Sequence, residues 1–437
     1  MAQKVELTWM GKGERCQIDS GLMIENPDLS YGDLDSENML IQGDNLSVLK
    51  ALEAKFTEKI KCIYIDPPYN TGSAFEHYDD NLENSQWLNF ITPRLKQLKK
   101  LLSKDGFIAV QIDDNQYARL CLVMMEIFGE RNLKTICVKM SEPTGVKMAS
   151  INKSKGIAKL KEYIIIAGID GVKGLDLERI PKDRWDKEYK TLCEGVSEGE
   201  LRVIKRILDD DQRTAEDIAS VKRLCQKISF ISIRDFFTRE NIKRDKESWL
   251  FDNAWRIIQV ATVTGGAKDI AVSTQQSFGK RLPSCFPILT KRKKMYLIKG
   301  GFNVNTPKPR SKILFADKYL SVHAGDLWTD IKTTGLDNEG CVDFPKGKKP
   351  ERLLYRIIQM LSKKNDWVLD SFLGSGTTAA VAHKMGRKWI GIELGAHVKT
   401  HCVRRLNAVI DGEKGGISSK VNWQGGGGYH YYQLTTP

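Results

Sequence analysis

Asp66-Pro67-Pro68-Tyr69 sets a carboxylate, a rigid carbonyl and an aromatic ring within four residues. Paired prolines forbid both a strand ladder and a helix, so the backbone at Asp66 is held extended. The tetrapeptide alone also suits an ordinary Asp-Pro turn. A second constellation lies far along the chain, Asp370-Ser371-Phe372-Leu373-Gly374-Ser375-Gly376-Thr377-Thr378. Its glycines permit a tight turn and let backbone N–H groups approach a ligand at a helix N-terminus. A phosphate-binding loop would need Gly-Lys-Ser/Thr, and no lysine is present. Gly374, Gly376 and Ala379 fit the Gly-x-Gly-x-x-Gly/Ala of a dinucleotide fold, with Glu393 placed for a ribose. An adenosyl group without pyrophosphate would use the same acid. Asp370 would repel a pyrophosphate but attract the ammonium of an amino-acid-bearing cofactor, which favours S-adenosylmethionine.

The elements that must position these residues alternate strand and helix. Met39-Leu40-Ile41 reads as a strand, followed by a helix with Leu46, Leu49 and Leu52 on one face; Asp44 or Asn45 caps it, or Asp44 points into a crevice. Ile60 to Ile65 is a short apolar run that ends at Asp66, as a buried strand would. Trp87, Ile91, Leu95, Leu98 and Leu102 mark an amphipathic helix, and Phe107 to Ile112 a strand. A further helix (Tyr117 to Phe128) and strands at 133–138 and 163–167 complete this half. After the second constellation, Trp389 to Ile392 reads as a strand ending at Glu393. The pattern predicts an α/β fold, a doubly wound, mostly parallel sheet covered on both faces. Ligands of such sheets bind at the carboxyl ends of the strands. A polar loop follows Asn70 (Gly72, Phe75, His77, Tyr78), and the Lys/Ser/Gly-rich stretch 140–160 is expected as a mobile loop near that face.

From about 168 to 324 the alternation stops. This stretch carries polar helical patterns such as Leu201 to Lys227, aromatics mixed with bases, and the basic run Lys291-Arg292-Lys293-Lys294. It reads as an inserted α+β domain, and bases interleaved with aromatics suit phosphate and base contacts. The expected organisation is an N-terminal extension (1–35), one half of the sheet domain (36–167), the insertion (168–324), the second half (325–412) and a C-terminal tail (413–437). The chain has 437 residues and a net charge of +13, for which a polyanionic partner is the economical explanation. Nine cysteines without a Cys-x-x-Cys pair suggest reduced thiols in the cytoplasm. No apolar run reaches the length of a membrane span, and no signal peptide is visible. His397, His401 and Cys402 lack the glutamate of a His-Glu-x-x-His site, so no metal is expected.

Both constellations fall at strand ends of one sheet, so a methyl donor at the glycine turn could meet an amine at Asp66. The amino group of adenine is a poor nucleophile because its lone pair is conjugated into the ring. Two acceptors for its hydrogens, Asp66 and the Pro67 carbonyl, favour a pyramidal nitrogen, and Tyr69 offers a stacking face. Inside a duplex that group is inaccessible, so the base must be flipped out.

Asp-Pro-Pro-Tyr followed by Asn70-Thr71-Gly72, with the Asp-x-Phe-x-Gly-x-Gly turn behind it in the chain, resembles the β-class amino-methyltransferases of DNA. The chain looks most like the adenine-specific modification (Mod) subunits of type III restriction-modification systems. The resemblance covers roughly 35–170 and 345–410, and extends to Trp9-Met10-Gly11-Lys12 and the glycine–tyrosine tail. It implies that Asp66, Pro67, Pro68 and Tyr69 hold the target adenine. Phe372, Gly374, Gly376 and Thr377 would line the cofactor, with Asp370 beside them, Glu393 on its ribose and Asp44 on its adenine. Lys349-Pro350 would open the helix flanking the methionine end, and 168–324 would recognise the DNA target. Double-stranded DNA, a second copy of the chain and a restriction subunit are the implied partners; a solitary or two-component methylase is the other arrangement. The rival chemistries are methylation of cytosine N4 and of an RNA or protein-glutamine amine.

Overall fold

The computed structural model describes residues 6–14, 21–70, 83–141, 155–336, 339–344 and 347–435. Gly72, Phe75, His77, Tyr78 and most of the 140–160 stretch lie outside the described residues. The chain divides into two compact units, Met1–Glu178 with Ala324–Pro437, and Arg179–His323.

The first unit is built on one sheet. Its main strands are β1 (Leu22–Glu25), β2 (Met39–Gln42), β3 (Ile60–Ile65), β4 (Leu102–Ile112), β5 (Leu133–Lys139), β6 (Lys161–Gly168), β7 (Leu327–Trp328), β8 (Trp367–Asp370), β9 (Lys388–Glu393) and β10 (Gly428–Thr435), with the two-residue strand Tyr31–Gly32 paired to β10. They stand in the order β1-β10-β2-β9-β8-β3-β4-β6-β5-β7. From β10 to β4 all neighbours are parallel; β1 and β6 run against their neighbours. The central strands are near-continuous apolar runs because both of their faces are covered. Ile41, Ile63, Ile65, Ile108, Val110, Leu369 and Ile390 share one core with helices α1 (Asn45–Phe56), α2 (Asn84–Leu101) and α3 (Tyr117–Phe128). Their alternates point the other way, towards α4 (Glu351–Leu361), α5 (Thr377–Lys384) and α6 (Val403–Ile410).

Two parts of this unit differ from the reading by sequence. The expected tail contributes β10, which pairs with β2 and β1 and buries Tyr429 and Tyr431 against the sheet. The glycines before it allow a close backbone approach: a Cβ on Gly32 would lie 2.2 Å from the Gly427 carbonyl oxygen. The second difference concerns the insertion, which begins at Arg179, not at 168. Residues 169–178 stay with the sheet unit because Asp176 N–H donates to the Met360 carbonyl and Glu178 pairs with Arg352, Arg356 and Lys420.

The inserted unit carries a six-stranded antiparallel sheet in the order Ser229–Ser232, Thr191–Glu194, Ile257–Thr262, Arg310–Phe315, Met295–Lys299, Cys285–Leu289. The helical pattern from Leu201 to Lys227 is two helices, Glu198–Asp209 and Ala215–Cys225. They are separated where Thr214 starts the second with a capping box to Asp217.

A fully buried ion network joins the second helical layer. Glu351, the first residue of α4, accepts from Lys384 of α5 at 2.8 Å and from Arg405 of α6 at 2.9 Å, and all three side chains are 0% exposed. Arg405 also donates to Thr377 Oγ1 at 2.7 Å. Removing Glu351 leaves Arg405 without a carboxylate partner among the described residues, whereas Lys384 keeps Glu413. Glu351→Ala is therefore expected to cost about 3–5 kcal/mol, read as a fall in the urea midpoint at unchanged slope.

Candidate active site

Five parallel neighbours, β2, β9, β8, β3 and β4, each deliver an acid at or just beyond their carboxyl ends: Asp44, Glu393, Asp370, Asp66 and Asp113. Leu369 pairs with Ile63, so Asp370 and Asp66 leave the sheet on adjacent strands. The two sequence constellations thus share one edge.

At the β3 end, the Trp87 indole N–H donates to the Pro68 carbonyl at 2.8 Å and pins the proline pair to α2. Asn70 follows with φ of 58°, a left-handed conformation that asparagine tolerates. The chain thereby turns Tyr69 back onto Asp66: its hydroxyl lies 2.6 Å from Asp66 Oδ1 and 2.8 Å from Glu162 Oε2. Lys349 Nζ completes the cluster, 3.0 Å from Asp66 Oδ2, 2.9 Å from the Tyr69 oxygen and 3.4 Å from Glu162 Oε2. Gln111 Nε2 donates to Glu162 at 2.5 Å, and Gln111 is itself fixed by the Tyr64 hydroxyl at 2.6 Å.

Burial pushes the Asp66 carboxyl above its usual range, although Lys349 opposes it. Burial pushes Glu162 up as well, but Lys349 and the hydrogen bonds from Gln111 and Tyr69 outweigh it and leave Glu162 low. Burial lowers Lys349, yet the two carboxylates outweigh it and keep the group an ammonium. Tyr69 is held well above its usual value, first by burial and then by the adjacent acids, so it stays a neutral phenol. The cluster therefore presents one strong anion, one acid poised to take a proton, one cation and one aromatic face.

At the β8 end, Asp370 is 2% exposed and folds the turn around itself, accepting from Phe372 N–H at 2.9 Å and from Thr378 Oγ1 at 2.6 Å. Gly374 (φ 56°) and Gly376 (φ 84°) take left-handed conformations. Glu393 reaches across from β9, accepting from Gly374 N–H at 2.8 Å and, through its other oxygen, from Leu394 and Gly395. Phe372 packs edge-on against Phe90 at 5.9 Å, and Phe90 carries Arg94 on its face at 3.8 Å. Arg94 bonds Asp44 and Asn45, and Asn45 donates to the Ser371 carbonyl at 2.8 Å. One arginine of α2 thus holds the β2–α1 turn against the β8–α5 turn. Asp44 caps α1 through Ser47 N–H and remains 43% exposed, so it both caps and faces the mouth of the crevice.

The placements differ from the sequence reading in three respects. Lys349 was expected at the cofactor end but lies on Asp66, because Pro350 holds the chain extended before α4 and turns the preceding side chain to β3. The Thr377 hydroxyl faces Arg405, not the crevice. Lys291 to Lys294 form the exposed tip of a hairpin, where Lys294 pairs with Asp211 at 3.1 Å. The site roles of Glu162, Gln111, Trp87 and Arg94 carry no local sequence signal, because each sits in an ordinary strand or helix pattern. Among the described residues no group of His, Cys, Asp and Glu could hold a metal ion.

The inserted unit contains a cavity of about 960 Å³ with an aromatic and aliphatic floor that includes Trp185 and Phe237. Lys187, Lys190, Arg234, Lys243 and Lys246 line it, all exposed, and among the described residues none has a carboxylate partner.

Comparison with known proteins returns a family described as DNA methylase, whose profile matches residues 60–403. The chain is 35% identical to the "Probable type III restriction-modification enzyme HindVI Mod subunit" of Haemophilus influenzae, over 91% of this chain and 54% of that protein. It is 34% identical to the type III restriction-modification enzyme StyLTI Mod subunit of Salmonella typhimurium, over 81% and 51%. The chain spans about half the length of these curated relatives. Among solved structures, it aligns with PvuII DNA methyltransferase (cytosine-N4-specific) at 14% identity and a TM-score of 0.40, over 89% of this chain and 91% of the other.

Asp370 supplies a pH signature. Burial, opposed by the bonds from Thr378 and Phe372, pushes it up to about 7. Between the ordinary carboxylate value and about 7, the folded chain keeps a proton that the unfolded chain releases. Asp370 thus costs nothing below pH ~4 and destabilises the fold progressively as pH rises to ~7. Asp370→Asn is expected to gain on the wild type across that window, by a few kcal/mol at most. Denaturant melts at pH 5 and pH 8 check it; a constant difference between the two proteins would refute the assignment.

Proposed function

Because the chain belongs to the DNA methylase family, we propose that it transfers a methyl group from S-adenosylmethionine to N6 of a flipped-out adenine in duplex DNA. One observation carries the reading: Asp66 and Tyr69 leave β3 beside β8, whose end bears Asp370 and the glycine turn. The turn suits the cofactor. A Cβ added at Gly374 would meet nothing nearer than the Phe372 carbonyl oxygen at 4.0 Å, so the backbone there is approachable. Asp370 is a buried acid with no ion pair among the described residues, and an ammonium would restore its charge. We assign Glu393 to the cofactor's ribose and Asp44 to its adenine. When bound, the cofactor supplies a methyl group on a cationic sulfur that leaves as a neutral thioether.

The chain's own residues prepare the amine. Asp66 and the Pro67 carbonyl accept its two hydrogens, and the Tyr69 ring stacks on the base. Asp66, held high by burial, takes the proton that the amine must lose as the new N–C bond forms. Holding the base and the donor at adjacent strand ends aligns the reacting atoms, which supplies much of the acceleration.

We assign the phosphate contacts to the cavity of the inserted unit in preference to the Lys291–Lys294 tip. Its cations surround aromatic side chains and, among the described residues, lack acidic partners, whereas Lys294 is already paired. The relatives above are Mod subunits of type III restriction-modification enzymes. We infer the same setting here, with a restriction subunit as the expected partner.

Nucleoside analysis of DNA incubated with the chain and S-adenosylmethionine should reveal N6-methyladenine; N4-methylcytosine or unmodified DNA would overturn the reading. Asp66→Ala should lower the rate by at least about 100-fold. Reversing charge at Lys243 and Lys246 together should weaken duplex binding and flatten the log–log salt slope by about 0.9 per lost contact. The same reversal at Lys291 and Lys293 should do less, and the opposite ranking would move the DNA site to the hairpin tip.

A further inference from the structure

The Lys349 ammonium makes the contacts that the target amine needs. It donates to Asp66 at 3.0 Å and lies 4.9 Å from the centre of the Tyr69 ring. An amine entering the same acceptor must therefore displace it, and a buried ammonium moves only to another anion. One is already in place. Glu162 Oε2 lies 3.4 Å from Nζ, just beyond a good hydrogen bond. Its carboxylate cannot retreat, being fixed by Gln111 at 2.5 Å, and Gln111 is fixed by Tyr64. The proton count at Tyr69 points the same way. Its hydroxyl lies within 2.8 Å of both carboxylates but carries a single hydrogen, so it satisfies only one of them at a time. Lys349 reaches both and can serve whichever acid the hydroxyl leaves.

We propose that Lys349 is a placeholder for the target amine, and that Glu162 is the second station to which its ammonium moves when the base enters. The inference rests on the methyltransferase reading. Glu162 and Lys349 are then positioning residues. They keep Asp66 charged and aimed in the empty site, and they surrender it to the substrate without leaving a buried cation unpaired.

The test is a suppression experiment with the full chain, S-adenosylmethionine and duplex DNA carrying the motif that the wild type modifies. Glu162→Gln removes the second station, so the ammonium stays on Asp66. KM for DNA should rise about tenfold with a smaller change in kcat. Lys349→Met removes the competitor: its kcat should fall, because Asp66 loses the cation that keeps it charged, but its KM for DNA should not exceed that of the wild type. The double variant should recover to within about twofold of Lys349→Met, because with no ammonium the second station is idle. A static salt bridge predicts the reverse, with both single variants impaired in KM and the double variant no better than Glu162→Gln. That outcome, or a raised KM in Lys349→Met alone, overturns the placeholder. Should Glu162→Gln fail to fold, the KM of Lys349→Met decides by itself. Absence of DNA methylation by the wild type would overturn the parent reading and this inference with it, whereas methylation without suppression would remove the inference alone.

Discussion

Glu351 carries a constraint on which the site depends. A carboxylate taken fully out of water costs several kcal/mol, and only close partners offset that cost. Lys384 and Arg405 do so from two other helices, at 2.8 and 2.9 Å. Lys384 also pairs with Glu413, and these contacts together hold the start of α4 against α5 and α6. Lys349 and Pro350 immediately precede that point, so the network also decides where the Lys349 ammonium lands. Arg405 at the same time holds Thr377, the first residue after the glycine turn. One buried anion thus sets the geometry of both halves of the site. An apolar trio of similar volume could stabilise the unit as well, but it would not specify that register.

The edge of the sheet poses the opposite electrostatic problem. Five neighbouring strands bring five carboxylates to one side, and each needs a hydrogen-bond donor or a cation. The solutions differ with the task. Asp44 is capped and paired with Arg94. Glu393 is wrapped in backbone N–H groups. Asp66 has a lysine that another anion can receive. Asp370 has, among the described residues, only neutral donors and is left close to protonation at neutral pH. The acids with the least settled charge are those assigned to the reacting amine and to the cofactor's ammonium. A perturbed carboxyl in a crevice is where function is expected, and the two raised carboxyls, Asp370 and Asp66, stand at the ends of adjacent strands.

Much of this was legible in the sequence because the decisive signals were local. Asp66 to Tyr69 and Asp370 to Thr378 each hold an acid, a turn and a ring or glycines within one short segment. Strand–helix alternation then required both to lie at carboxyl ends. Contacts between distant segments were not legible. Nothing in a strand reading Lys-Glu-Tyr-Ile-Ile-Ile marks Glu162 as the partner of Lys349. Lys349-Pro350 announces a helix start but not the direction of the preceding side chain. Tyr429 and Tyr431 did carry the alternation of a strand, yet the glycines before them read as a tail. Those glycines let the last strand approach Gly32 closely enough to join the sheet.

The inserted unit shows why a charge run is a weaker signal than a charge arrangement. Lys291 to Lys294 are consecutive and so stand out in the sequence, but they occupy an exposed hairpin tip, and one is neutralised by Asp211. Lys187, Lys190, Arg234, Lys243 and Lys246 are scattered through sixty residues and form no motif. The fold gathers them around one cavity with Trp185 and Phe237 between them. Phosphates are bound by charges that converge, and base faces need flat apolar surface between those charges. The gathered set offers both, and on that ground the phosphate contacts are proposed there and not at the run.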